Sequence, residues 1–182
     1  MTDVHFLRIA IPVAWVAFWV YWLVVAAGAK AGPRTTRSRL PGLTIVVAVL
    51  LVRGIAGKGG LVDDDALATV GAAAFVAGLA LAVWARVHLG RNWGMPMTRK
   101  EEPELVTSGP YRFVRHPIYS GLILAMLGTA LAVNLYFLVA VALVGPYFVY
   151  SAKVEEGILE GVFPAAYPSY RARTKMIIPF VL

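Results

Sequence analysis

Long apolar runs separated by short charged loops organise this chain. Residues 6–29 are almost wholly apolar, enough for a spanning helix, which needs about 20 such residues. Residues 43–52 form a shorter second run, closed by Arg53, whose long side chain is expected to snorkel to the interface. Residues 66–89 form a third, rich in Ala and Gly at positions that let helices approach closely, with His88 at its end. Residues 118–150 then continue without a charge. That is too long for one ordinary span, and Gly128, Thr129 and Asn134 offer a turn. The stretch reads as a tight helical hairpin with a short first arm and a second arm kinked at Gly145-Pro146. The pattern predicts an all-α integral membrane protein of about five transmembrane helices in one domain. Three spans occupy residues 1–89; a polar loop, the hairpin and a tail occupy 90–182.

Composition agrees with this pattern. The 182 residues are 59% hydrophobic and 15% charged, against about 45–50% and about 25% in soluble domains. The net charge of +7 does not point to nucleic acid as a partner. Of the 17 Lys and Arg, all but Arg8, Arg53, Lys58 and Arg86 lie in the loops 30–39 and 90–115 or beyond the hairpin. Basic loops beside apolar spans set topology and meet anionic headgroups. The expected partner is therefore the bilayer, with the N-terminus outside and the C-terminus in the cytoplasm. The first run is too long for a cleavable signal, and a basic cluster follows it. The absence of cysteine excludes disulfides, thiol catalysis and Cys-type zinc sites. Asp63, Asp64 and Asp65 read as a solvated loop and helix N-terminal charge, and no metal site is expected. The glycines around Lys58 lack the full phosphate-binding pattern. Trp15, Trp19, Tyr21 and Trp22 in the first span suit belt anchoring or helix packing.

Candidate chemistry lies in two polar blocks. The first, residues 107–121, reads TSGPYRFVRHPIYSG and sets Arg112, Arg115 and His116 against an apolar run, where cationic side chains are costly and mark function. The second follows the hairpin. Residues 151–163 are expected to carry the last helix out of the membrane, with Glu155, Leu159 and Phe163 on one stripe and Glu156 beside it. Pro164 and Pro168 then break the helix, and Tyr167 and Tyr170 sit in or beside the turn, as interfacial anchors or as part of a site. Two polar blocks bracketing a hairpin imply a site at the membrane surface assembled from both flanks. The paired carboxylates invite an Arg or a cationic ligand.

The segment LVTSGPYRFVRHPIYSG, from Leu105 through Gly121, resembles the R-H-P-x-Y-x-G signature of the isoprenylcysteine carboxyl methyltransferase family and the related phospholipid methyltransferases. The tail EEGILEGVFPAAYPSYRARTKMIIPF is similar to that family's E-E-x-x-L, F-x-x-x-Y-x-x-Y and closing I-P elements, with Pro164 where the family often has Gly. The resemblance covers nearly half the chain. It implies S-adenosylmethionine as methyl donor, bound in a cytoplasm-facing pocket between the R-H-P loop and the E-E helix, without a G-x-G-x-x-G fingerprint. It further implies that His116 and Tyr119 contact the donor's polar groups and that Glu155 or Glu156 holds its amine or ribose hydroxyls. Backbone near Val106 and Thr107 would complete the pocket, and Gly121 would leave room for close approach.

The implied acceptor is a lipophilic molecule, a carboxylate of isoprenylcysteine type or another prenylated or lipid substrate. A carboxylate is already ionised at neutral pH, so the enzyme's task is positioning and exclusion of water. Arg115 either steers this anion or pairs with Glu155 or Glu156. An amine acceptor would need a base, which Glu156 could supply. NADPH-dependent membrane sterol and enone reductases share a similar C-terminal half. They typically show an Arg-Asp pair in place of Glu155-Glu156, and only Lys153 is close by to meet a 2′-phosphate. A non-enzymatic membrane scaffold explains the hydrophobicity but not two polar blocks facing one side.

Overall fold

A computed structural model describes residues 4–26, 59–93 and 104–178. The expected second span at 43–52 with Arg53, the basic loop 30–39, Arg99, Lys100 and the closing Pro179 lie outside the described residues. Those described form five α-helices: α1 (Val4–Ala26), α2 (Asp65–Leu89), α3 (Pro117–Ala132), α4 (Phe137–Val162) and α5 (Tyr167–Arg173). Short 3-10 turns at Gly90–Asn92 and Gly109–Arg112 follow α2 and precede α3. Three helices are long and apolar enough to cross a membrane, and α3 is a shorter apolar one. The protein is an all-α membrane protein.

Helices α2 and α3 pack as an antiparallel pair with almost no side chain between their backbones. Gly71, Gly78 and Ala82 on α2 face Gly121, Ala125, Gly128 and Ala132 on α3. A methyl group added at Gly121 would lie 2.6 Å from the Gly78 carbonyl oxygen, and one at Gly71 would lie 2.8 Å from the Gly128 carbonyl. Spacings of three and four keep these small residues on one stripe of each helix. Lipid tails give apolar side chains no reason to leave them, so backbone approach through small residues is what holds such a pair together.

This seam corrects the expected hairpin turn. Gly128 and Thr129 lie inside α3, where Gly128 meets the Phe75 backbone and the Thr129 hydroxyl donates to the Ala125 carbonyl at 2.9 Å while accepting from Trp15 Nε1 at 3.0 Å. The chain turns between α3 and α4 at Asn134, whose side chain accepts from the Tyr136 amide at 2.9 Å. With 16 residues, α3 spans about 24 Å at 1.5 Å per residue, short of the roughly 30 Å hydrocarbon core. Helix α4 has 26 residues with Pro146 inside it. At about 39 Å it outlasts the core, so its C-terminal turns project beyond.

Helices α1 and α2 run parallel. At their N-terminal ends Arg8 donates to the Val62 carbonyl at 3.0 Å and pairs with Asp63 at 2.5 Å. Asp64 caps α2 by accepting from the Leu67 amide at 2.7 Å, so the aspartates serve the helix start. Among the described residues, no His, Asp and Glu group suited to a metal occurs. At the other end buried Arg86 donates to Val25 and Gly90 carbonyls at 2.8 and 2.7 Å and lies over the Trp93 ring. The α1 aromatics serve packing: Trp15 reaches Phe75, and Trp22 meets Trp93 edge to face. The same end of the bundle holds both polar blocks.

Candidate active site

The R-H-P segment is held in place by the tail. Val114 bridges Lys175 in parallel. The Arg115 amide donates to the Lys175 carbonyl at 2.8 Å and the His116 amide to the Met176 carbonyl at 3.0 Å. The Ser120 hydroxyl donates to the Ile177 carbonyl. His116 ends this extended stretch as the residue before α3, and Pro117 opens the helix, where its missing amide costs nothing and its fixed φ suits the first turn. Tyr170 and Tyr111 extend the fastening. The Tyr170 hydroxyl donates to the Tyr111 carbonyl at 2.7 Å, and the Tyr111 hydroxyl reaches the Ala85 carbonyl at 3.4 Å. Tyr167 and Tyr170 are buried, so neither is the exposed anchor that the sequence allowed. Burial drives the pKa of both, and of Tyr111, well above the usual tyrosine range. They act as neutral hydroxyls.

Glu155 and Glu156, near the end of α4, meet this segment across the hairpin. His116 lies between them, with Nδ1 at 3.5 Å from Glu155 and Nε2 at 3.5 Å from Glu156. Burial alone would lower the imidazole pKa, but the two carboxylates outweigh it and the net shift is upward. The two carboxylates thus favour the imidazolium form. The ring stacks on Tyr119 (centroids 5.6 Å apart, planes 6° apart), and Tyr119 stacks on Phe148 (4.8 Å, 12°).

The two glutamates differ. Glu156 is buried and takes cations of the protein itself: Arg115 Nε at 2.6 Å, His116, and Arg171 Nε at 3.8 Å. Arg115 also donates through Nη1 to the Thr174 and Arg171 carbonyls. Of the two roles open to it, pairing with Glu156 is the one seen. Glu155 keeps 26% of its side chain exposed and accepts from the Tyr119 hydroxyl at 2.5 Å. The structure therefore brings together Arg115, His116, Tyr119, Glu155 and Glu156. Gly121 gives its space to α2 rather than to the cluster. Val106 is half-buried and Thr107 exposed, in the extended stretch ahead of the Gly109–Arg112 turn.

Sequence reasoning passed over Arg171. Arg171 reaches Glu156 and, at 3.6 Å, Glu160; only its place in the last turn of α5 hinted at this.

The phospholipid methyltransferase family profile matches residues 67–166, from α2 to just short of α5. The chain belongs to the phospholipid methyltransferase family. That makes it a membrane methyltransferase. This phospholipid methyltransferase family member is similar to the nickel-cobalt-cadmium resistance protein NccN of Alcaligenes xylosoxydans xylosoxydans, 29% identical over 161 residues that cover 85% of this chain and 71% of that one. It is also similar to protein-S-isoprenylcysteine O-methyltransferase B of Arabidopsis thaliana, 35% identical over 85 residues, 46% of this chain and 43% of the plant protein. It thus spans less than half of that relative's length.

Proposed function

We propose that this protein transfers a methyl group from S-adenosylmethionine to a lipophilic acceptor, with a carboxylate of isoprenylcysteine type as its substrate. The supporting observation is the cluster at the hairpin's polar end. There Glu155 keeps 26% of its side chain exposed beside buried His116 and the Tyr119 hydroxyl, and the buried Tyr167 hydroxyl has no hydrogen-bond partner. Native proteins leave few buried hydroxyls unpaired, and a partly exposed carboxylate in the same cluster suits a ligand rich in polar groups. A donor carrying an ammonium group, ribose hydroxyls and a sulfonium fits carboxylates and aromatic faces.

Glu155, oriented by the Tyr119 hydroxyl, is the carboxylate that holds the donor's amine or ribose hydroxyls. His116 lies between the two glutamates and pairs with both. Arg115 braces Glu156 and ties it to the tail, so the pair acts by positioning. When bound, S-adenosylmethionine supplies an electrophilic methyl carbon: the acceptor's lone pair bonds to it, and the carbon–sulfur pair leaves on sulfur as neutral S-adenosylhomocysteine. The stacked rings of His116, Tyr119 and Phe148 hold the reactants in line and exclude water. The site faces the cytoplasm, since its end of the bundle carries Arg112, Arg115, Arg171, Arg173 and Lys175 while Arg8 marks the other.

Binding of S-adenosylhomocysteine and NADPH to the purified protein in detergent tests this reading. S-adenosylhomocysteine should bind and NADPH should not. NADPH binding without S-adenosylhomocysteine would replace the proposal with a reductase, and binding of neither with a scaffold.

A further inference from the structure

One polar feature of the apolar bundle is not used by the donor site as described. On α4, Tyr147, Ser151 and Glu155 recur every fourth residue and so share a face. The stripe runs from the membrane interior to the carboxylate that meets Tyr119. Ser151 is fully buried, and its hydroxyl donates to the Tyr147 carbonyl at 2.9 Å. The Tyr147 hydroxyl is shielded from solvent, lies near Ser151 and makes no hydrogen bond of normal geometry. The Tyr147 ring lies 6.0 Å from that of Phe148, which stacks on Tyr119. Beside the stripe, His116, Tyr119 and Phe148 form a column of parallel rings leading from the polar block into the apolar core.

A buried hydroxyl without a partner carries a desolvation cost that a phenylalanine would avoid. Eight residues separate Tyr147 from Glu155, about 12 Å along the helix at 1.5 Å per residue, so Tyr147 is on the membrane side of the donor site. A chain-bearing acceptor approaches from that side, while a water-soluble donor reaches the polar end.

We propose that Tyr147 is the specificity-determining residue for the acceptor, its phenolic hydrogen donating to one oxygen of a carboxylate borne on an apolar chain. The proposal rests on the methyltransferase reading above and names the acceptor half of the same site. Arg115 is committed to Glu156 and to the tail carbonyls, whereas Tyr147, on the membrane side, offers the anion a neutral donor. A phenol that engages one oxygen leaves the other free to attack. A bidentate cation would occupy both.

The test uses the purified full chain, tritium-labelled S-adenosylmethionine, and two probes: N-acetyl-S-farnesylcysteine and phosphatidylethanolamine vesicles. Label should pass to the farnesylcysteine carboxylate. Tyr147→Phe should raise KM for that probe about tenfold or more, the loss of one hydrogen bond to a charged group, with kcat within about threefold. Its affinity for S-adenosylhomocysteine should match the wild type, and its thermal midpoint should be equal or higher. An unchanged KM overturns the proposal, as does weakened S-adenosylhomocysteine binding, which would put the hydroxyl in the donor site. Label in phosphatidylethanolamine alone overturns the carboxylate acceptor while sparing methyl transfer. A wild type that neither binds S-adenosylhomocysteine nor transfers label overturns the functional reading and this proposal with it.

Discussion

Replacing Arg115 by Met removes a cation from a site with little access to water. The Arg115 and Glu156 side chains are 8% and 5% exposed and meet at 2.6 Å. Methionine keeps much of the volume but leaves Glu156 with His116 at 3.5 Å and the half-exposed Arg171 at 3.8 Å. Breaking a buried pair from one side typically costs about 3–5 kcal/mol, because the remaining charge is left buried. The bonds to the Thr174 and Arg171 carbonyls disappear too, loosening the tail that holds His116. For a chain of this size that cost corresponds to a fall of about 6–20 °C in thermal midpoint. The assay is thermal unfolding in detergent, with limited proteolysis of the tail and the affinity for S-adenosylhomocysteine measured in parallel. Arg115→Met/Glu156→Leu, which removes both charges, should recover most of the lost stability but not donor binding. An Arg115→Met protein as stable as the wild type, with intact donor binding and a raised KM for acceptor alone, would refute this reasoning. It would return Arg115 to the role of steering the anion.

Two further outcomes follow from the site and the seam. The His116 pKa is raised on folding by its two carboxylates, so its stabilising contribution is fully present below the ordinary histidine value of about 6.5 and is lost as pH rises through the higher folded value. Wild-type stability should fall over that window, and His116→Gln should flatten the slope; identical pH profiles would show that the imidazolium is not engaged. Gly121→Ala should destabilise by about 1–3 kcal/mol through overpacking, since its methyl group would meet the Gly78 carbonyl oxygen and the Ala82 amide at 2.6 and 2.7 Å. An unchanged thermal midpoint would mean that the α2–α3 backbones are not in contact.

The hairpin, the three long helices and the two polar blocks were legible because the bilayer demands long apolar runs and makes a charge beside one conspicuous. The turn was less so. Gly128 and Thr129 look like a break, yet in a membrane helix small residues mark contact, and only their register with Gly71 and Phe75 reveals which meaning applies. The His116–Glu155–Glu156 meeting could be inferred from paired motifs, but the division of labour between the glutamates could not. It depends on Arg115 turning toward Glu156 and on carbonyls at Arg171 and Thr174, and backbone acceptors leave no mark in a sequence. The same holds for Arg86, whose carbonyl partners join α1 to α2, and for residues 174–177 pairing with 114–116 across most of the C-terminal half. Tyr167 and Tyr170 carry the composition of interfacial anchors; only tertiary packing buries them.

The most direct test compares wild type with Glu155→Gln for transfer of tritium from labelled S-adenosylmethionine to N-acetyl-S-farnesylcysteine and to membrane lipids. Wild type should methylate a lipophilic acceptor. The variant should keep its thermal midpoint within a few degrees and lose both donor affinity and transfer by about tenfold or more, as removal of a charged partner from a ligand's hydrogen bond entails. Full transfer by Glu155→Gln, or none by the wild type to any lipid, would contradict a donor site built on Glu155 and His116.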